Sequence, residues 1–205
     1  MFKIAKKREL NSQVTLMEIE APRIAKKAKA GQFIMLRVNE FGERIPLTVA
    51  DTNQKTGTVT IIFQIVGKTT MDLNALSEGD FLLDFAGPFG SPSHLEGYKK
   101  AAVVGGGLGT AIAYPQAKAL FNLGAEVDAI LGFRNKDLII LEDEIKAVSS
   151  RVFITTDDGS NGNKGFVTDV LKNLIDEGNA YDVVIAIGPL PMMKAVSNLT
   201  RDYGI

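Results

Sequence analysis

Cysteine and tryptophan are absent from the 205 residues, and histidine occurs once, at His94. Without thiols the chain forms no disulfide, offers no thiol nucleophile and supplies no thiolate to zinc or to an iron–sulfur cluster. One imidazole is too few for a histidine metal site, and a Ser-His-Asp triad is improbable, so no metal site is expected. A surplus of one charge is also missing. Lys+Arg number 23 against 24 Asp+Glu, a net charge of -1, which gives no general attraction to nucleic acid or anionic lipid. The apolar runs at 101–104, 129–131 and 183–187 fall far short of the roughly 20 residues of a membrane span. The opening Met-Phe-Lys-Ile-Ala-Lys-Lys-Arg has basic residues but no apolar stretch behind them, so it does not read as a signal peptide. These absences point to a cytoplasmic protein that binds neither nucleic acid nor membrane.

What is present falls into two halves, divided near residue 97. In the first, short β-rich runs at 13–20, 32–38, 45–50, 58–66 and 80–85 are separated by turn residues at 39–42, 51–57 and 87–92. Residues 69–76 form the one helical candidate there. Several short strands with little helix predict an antiparallel β-barrel domain over 1–96. In the second half, strands at 100–104, 126–133, 151–156 and 181–187 alternate with helical stretches at 110–123, 141–148, 166–177 and 192–200. That alternation predicts an α/β domain over 97–205, with a parallel sheet covered on both faces.

Chemistry concentrates in a few loops. Val-Val-Gly-Gly-Gly-Leu-Gly-Thr at 103–110 joins a strand to a helix. Glycines there let backbone N–H groups and a helix N-terminus approach a pyrophosphate. It departs from G-x-G-x-x-G, because the third glycine place is Thr110, and a ligand-free tight turn is the alternative. Gly188-Pro189 ends the fourth strand on the same sheet edge, and so does Asp157-Asp158-Gly159-Ser160 after the third. A carboxylate there accepts hydrogen bonds from ribose hydroxyls and repels a 2′-phosphate, whereas Arg134, after the second strand, suits phosphate. In the barrel, Arg44 and the glycine-led helix start Gly67-Lys68-Thr69-Thr70 form a candidate second pyrophosphate cradle. An ordinary strand and a helix capped by Thr69 are the alternative.

Taken together, the stretches RIPLTVAD (44–51), VGKTTMDL (66–73), GPFG (87–90), VVGGGLGTAIAYPQAKAL (103–120), TTDDGSNGNKGFVTDVL (155–171) and IGPLPMMKAV (187–196) resemble the ferredoxin–NADP reductase superfamily. Within it they are most similar to the small subunits of electron-bifurcating NADH-dependent ferredoxin–NADP oxidoreductases and of sulfide dehydrogenases. The electron-transfer subunits of dihydroorotate dehydrogenase are near cousins. The resemblance implies FAD on the barrel, with Arg44, Pro46, Leu47 and Thr48 at the flavin and its phosphates. Gln64, Ile65 and Val66 would line the next strand, and Gly67, Thr69 and Thr70 would hold the pyrophosphate. It implies a nicotinamide dinucleotide on Gly107, Leu108, Gly109 and Thr110, with Asp157 near the ribose; Arg134 joins the cofactor-binding candidates as a guanidinium suited to phosphate. Gly188, Pro189 and Met192 would lie at the nicotinamide end.

NAD(H) is preferred over NADP(H), and hydride would pass directly between nicotinamide and flavin. Thr48 is the candidate catalytic hydroxyl, bonded near the flavin's reactive nitrogen. The implied partner is a larger flavin or iron–sulfur subunit that receives electrons. Three departures stand out. Arg44 lies four residues before Thr48 where the superfamily has three, which in a strand of period two moves it to the other face. Ile187 stands where relatives often have cysteine. Relatives also continue into a Cys-rich segment that binds a 2Fe–2S cluster, for which this chain has no ligands.

Other features carry blander expectations. His94 reads as an exposed loop residue, 142–144 as a helix start favoured by the dipole, 6–8 and 26–27 as solvated basic faces, and Met192-Met193 as packing. The expected function is an FAD-containing electron-transfer subunit that exchanges hydride with NAD(H). The rival readings are a stand-alone NAD(P)H:flavin or diaphorase-type reductase, a dihydroorotate dehydrogenase electron-transfer subunit, and a non-catalytic assembly module retaining the fold.

Overall fold

A computed structural model describes all 205 residues. The chain divides into two compact units, Met1–Ser93 and His94–Ile205.

The first unit is a seven-stranded antiparallel sheet in the order β6-β1-β2-β5-β4-β3-β7. Its strands are β1 (Phe2–Asn11), β2 (Val14–Glu20), β3 (Phe33–Arg37), β4 (Ile45–Asn53), β5 (Thr58–Gln64), β6 (Phe81–Leu82) and β7 (Asp84–Phe89). A short helix α1 (Pro22–Ala25) follows β2, and α2 (Lys68–Ala75) follows β5. Alternate residues of the strands meet in one apolar cluster that includes Ile4, Met17, Ile34, Val49, Ile61, Leu82 and Phe85, joined by Leu73 of α2. A sheet whose strands feed one cluster has to curl around it. Each fully buried aliphatic side chain contributes about 1.5–3 kcal/mol to keeping it curled.

Two expectations change here. Residues 80–85 are not one strand, because the chain switches partner at Leu83. Phe81–Leu82 pairs with β1, while Asp84–Phe89 pairs with β3, so this hand-off joins the two ends of the sheet order. Residues 6–8 belong to a strand that periodicity does not predict, although Lys6 and Arg8 are exposed, as expected of a solvated basic face. They lie inside β1, which has Ile4 inward and charges outward, and Lys7 is half-buried.

The second unit is a four-stranded parallel sheet in the order β10-β9-β8-β11. It contains β8 (Lys100–Gly106), β9 (Glu126–Phe133), β10 (Arg151–Thr156) and β11 (Val183–Ile187), with helices α3 (Thr110–Asn122), α4 (Glu142–Lys146), α5 (Val167–Asp176) and α6 (Leu190–Asp202). Ala102, Val104 and Ile130 face a cluster closed by Val167, Leu171 and Leu174 of α5 and Val196 of α6.

The sheet runs from β8 outward to β10, then returns to place β11 on the other side of β8. This reversal makes the carboxyl ends of β8 and β11 the switch point, where open α/β sheets bind ligands. β11 is less buried than its apolar sequence suggests, because it pairs on one edge only, and all five residues are half-exposed. His94 is exposed, and the acidic triplet occupies the first turn of α4.

Candidate functional sites

Strand β4 changes neighbour along its length. Ile45 to Thr48 pair with β3, whereas Val49 to Asn53 pair with β5. The β4–β5 ladder therefore ends at Val49↔Ile61. Beyond it, residues 45–48 form one lip and 62–64 the other, with backbone edges facing a gap in the sheet. Ile45, Leu47 and Ile65 pack against the barrel core, so by alternation Arg44, Pro46 and Thr48 point outward on one lip. Gln64 and Val66 do so on the other, and Val66 is well exposed. Leu47 and Ile65 accordingly offer a ligand their backbone rather than their side chains.

Contrary to the expectation that its spacing turns it to the other face, Arg44 shares the outward face of Pro46 and Thr48, and its Nη2 lies 2.7 Å from Asp84 Oδ2. Arg37 Nε lies 2.9 Å from the same oxygen. Two guanidiniums on one carboxylate leave a net positive rim. Arg37 and Asp84 were not singled out from sequence; only the pairing Arg37↔Asp84 across β3 and β7 brings them to Arg44.

At the end of the second lip, Gly67 holds the cap position of α2. Its φ of -156° is ordinary extended backbone, and a Cβ built on it would meet nothing within 4 Å. Neither conformation nor packing requires glycine here. The expectation of Thr69 as cap is corrected by Thr70. The Thr70 hydroxyl accepts from the N–H groups of Val66 and Gly67, each at 3.0 Å, and donates to the Gly67 carbonyl at 2.9 Å. The Thr70 hydroxyl is thus committed to the turn, while the first-turn N–H groups of α2 have no intrahelical carbonyl to take them. The far end of α2 is pinned to the barrel by Lys7 Nζ on the Asn74 carbonyl (2.5 Å) and Thr15 Oγ1 on Asn74 Oδ1 (2.7 Å).

In the second unit, Gly107–Gly109 forms one 3-10 turn between β8 and α3. The register Ile187↔Gly105 sets the Gly188 turn beside it. Most of these glycines serve that close approach. A Cβ on Gly109 would sit 2.3 Å from the Ile187 carbonyl oxygen, one on Gly106 would sit 2.5 Å from Met192 Sδ, and one on Gly188 would sit 3.0 Å from the Gly106 backbone. Gly107 is different: its φ is +53° and nothing lies within 4 Å of its Cβ position. At the start of α3, Thr110 is fully buried and its hydroxyl has no hydrogen-bond partner. Such a group costs about 1–3 kcal/mol unless something pairs with it. Open space at Gly107 and the N-terminus of α3 form a corner that suits an anion, while the Thr110 hydroxyl is packed beneath it against Gly105. Pro189 caps α6, and Met192 packs into the adjacent core.

The third part of this edge is the loop after β10. Asp158 accepts the Ser160 N–H at 2.9 Å, and side-chain and backbone hydrogen bonds from Ser160 hold its carboxyl below the usual range. The Asp157 carboxylate and the Arg134 guanidinium are both exposed and have no partner. Of the two adjacent aspartates, Asp157 is therefore the one available to a ligand.

A second polar cluster lies at the opposite, amino edge of this sheet. Asp128 is fully buried, and Arg151 Nε (2.8 Å) and Tyr181 Oη (2.6 Å) donate to it. Burial pushes its pKa up, but the hydrogen bonds from Arg151 and Tyr181 outweigh burial and leave it lowered. With every strong donor matched, this cluster joins strands rather than awaiting a ligand.

No protein-family model matches the chain. The chain is 50% identical to an uncharacterized protein from the adh 3′ region of Clostridium beijerinckii, covering 100% of this chain and 72% of that protein. It is 44% identical to a Thermotoga maritima homologue of the dihydroorotate dehydrogenase B (NAD(+)) electron transfer subunit, covering 98% of this chain and 71% of that one. Among solved structures, an NADH-dependent reduced ferredoxin–NADP oxidoreductase studied for flavin-based electron bifurcation superposes with a TM-score of 0.92 at 42% identity. That match covers 100% of this chain and 74% of the other.

Proposed function

The chain belongs to the family of dihydroorotate dehydrogenase B electron-transfer subunits, which are ferredoxin reductase-like oxidoreductases, and from that membership we propose that it binds FAD and NAD(H) and relays electrons to a partner subunit. Its barrel, spanning residues 1–96 in this reading, is the flavin domain, and 97–205 is the nucleotide domain. The observation that carries the proposal is Gly67, a glycine that the fold itself does not need, facing open space at a helix start beside the gap between β4 and β5.

These residues fit a flavin dinucleotide. The lips at 45–48 and 62–66 present free backbone edges, with Thr48 contributing a hydroxyl. The first-turn N–H groups of α2, Thr69 and the Arg44 rim suit a diphosphate. Bound FAD supplies two-electron and one-electron chemistry. What this chain adds is alignment and electrostatic setting, and no acid–base residue is needed for a direct hydride exchange.

On the α/β unit, Gly107, Leu108, Gly109 and Thr110 suit the pyrophosphate of a nicotinamide dinucleotide. Asp157 suits its ribose, and Gly188, Pro189 and Met192 suit the nicotinamide end. The free Asp157 carboxylate favours NAD(H) over NADP(H). A 2Fe–2S cluster does not fit residues of this chain, which has no thiol to ligate it.

The test loads the full chain with FAD under anaerobic conditions and titrates it with NADH and then NADPH, recording the visible spectrum. Bleaching by NADH at concentrations where NADPH has little effect supports the proposal. A chain that takes up no FAD, or holds FAD that neither nucleotide reduces, removes it.

A further inference from the structure

The loop that carries Asp157 is unusually well tied for a surface segment, and Asn161 lies at its centre. Asn161 Oδ1 accepts from Thr156 Oγ1 at 2.8 Å and from the Asn163 N–H at 3.0 Å, and its Nδ2 donates to the Ile154 carbonyl at 2.9 Å. β10 is the edge strand, so Asn161 folds the loop back onto an edge that no strand covers. Thr156 N–H to the Asn163 carbonyl (2.9 Å) and Gly165 N–H to the Thr156 carbonyl (3.3 Å) complete the return.

The same loop is laced to the segment after β9. Asp157 N–H donates to the Phe133 carbonyl (3.0 Å), Asp158 N–H to the Arg134 carbonyl (3.3 Å), and Lys136 N–H to Ser160 Oγ (2.8 Å). Arg134 and Asp157 thus sit on two segments locked together, and both side chains are free. One attracts phosphate and the other repels it, so selectivity between a ribose hydroxyl and a 2′-phosphate depends on how their charges are placed.

We propose that Asn161 and Ser160 are positioning residues that set the Asp157 carboxylate against Arg134 and thereby select the unphosphorylated ribose of NAD(H). This rests on the reading of the carboxyl edge as a dinucleotide site. Asn161 does this work because it accepts and donates at once. A carboxylate of the same shape keeps the acceptor but loses the donor to Ile154 and sets two oxygens against each other.

Asn161→Asp separates positioning from charge. As an added negative charge alone, it strengthens rejection of a 2′-phosphate. As a broken tie, it frees Asp157 and weakens that rejection. The probes are ADP-ribose and 2′-phospho-ADP-ribose, titrated calorimetrically against the full chain, so that no electron transfer is involved. The wild-type chain is expected to favour ADP-ribose by about tenfold or more, the effect of one well-placed charge contact. Asn161→Asp is expected to weaken ADP-ribose about tenfold and to narrow the preference to about threefold or less, with flavin content unchanged. Ser160→Ala, which cuts the tie to Lys136 and the side-chain hydrogen bond to Asp158 but leaves the bonds of Asn161 in place, should move both quantities the same way by a smaller factor.

An unchanged or widened preference in both variants overturns the positioning role while leaving the dinucleotide site intact. No binding of ADP-ribose by the wild-type chain overturns the site and the inference together.

Discussion

Replacing Gly67 by asparagine should separate folding from flavin binding, because the two processes ask different things of that position. Gly67 has an extended φ of -156° and open space where a Cβ would go, so the larger residue enters without strain. Asparagine is also among the best N-cap residues and differs from glycine there by only a few tenths of a kcal/mol, in the stabilising direction. Its side-chain oxygen, however, reaches the first-turn N–H groups of α2, the donors a diphosphate would use.

Each hydrogen bond from an amide to a charged group is worth about 1.5–3 kcal/mol, and the helix terminus adds about 0.3–1 kcal/mol. Losing two such bonds costs about 4 kcal/mol, roughly a thousandfold in Kd. Urea unfolding of the Gly67→Asn chain should therefore match or slightly exceed wild type, while a fluorescence titration with FAD shows affinity lower by about two to three orders of magnitude. FAD binding within about threefold of wild type, with stability unchanged, refutes the placement of the diphosphate at this helix start.

Gly109→Ala should have the opposite character. Its Cβ falls 2.3 Å from the Ile187 carbonyl oxygen, a backbone atom that cannot swing aside, so thermal unfolding should show a loss of about 1–3 kcal/mol, with dinucleotide affinity falling and FAD retained. Asp128→Asn should lower stability by about 1–2 kcal/mol at neutral pH in denaturant titrations, by turning the charge-assisted hydrogen bonds from Arg151 and Tyr181 into neutral ones. The folded pKa of Asp128 is depressed, so its contribution is present above the ordinary carboxylate pKa and is lost as pH falls through the folded value. The wild-type stability curve should show that acid limb, and the variant should lack much of it. Lys7→Met should loosen α2, which circular dichroism and hydrogen exchange at 68–75 would report, and weaken FAD about fivefold through a less well-held helix end.

Much of the architecture is legible in the sequence because periodicity reports which side of a strand is buried. The runs at 126–133 and 151–156 coincide with β9 and β10, and the glycine turn after β8 announces itself by composition. Periodicity does not report which neighbour a strand pairs with. The gap where β4 leaves β5 for β3 is therefore invisible, as is the partner switch at Leu83 that splits 80–85 into two strands. β1 escaped notice because its exposed face is dense in lysine and arginine, leaving Ile4 as its only fully buried side chain.

The glycines mark the same boundary for the sites. Gly67, Gly107 and Gly109 look alike in a sequence, but the first faces open space, the second also needs a positive φ, and the third is required by a touching backbone. Asn161 reads as one polar loop residue among several until its bonds to Thr156 and Ile154 are seen.

The central claim is that the gap between β4 and β5, closed at one end by Gly67, holds the flavin. The most direct measurement is a crystal structure of the full chain grown with FAD. The account predicts the ring system between residues 45–48 and 62–66, with the diphosphate at the first turn of α2. Flavin density elsewhere on the chain, with that gap filled by side chains or water, would contradict it.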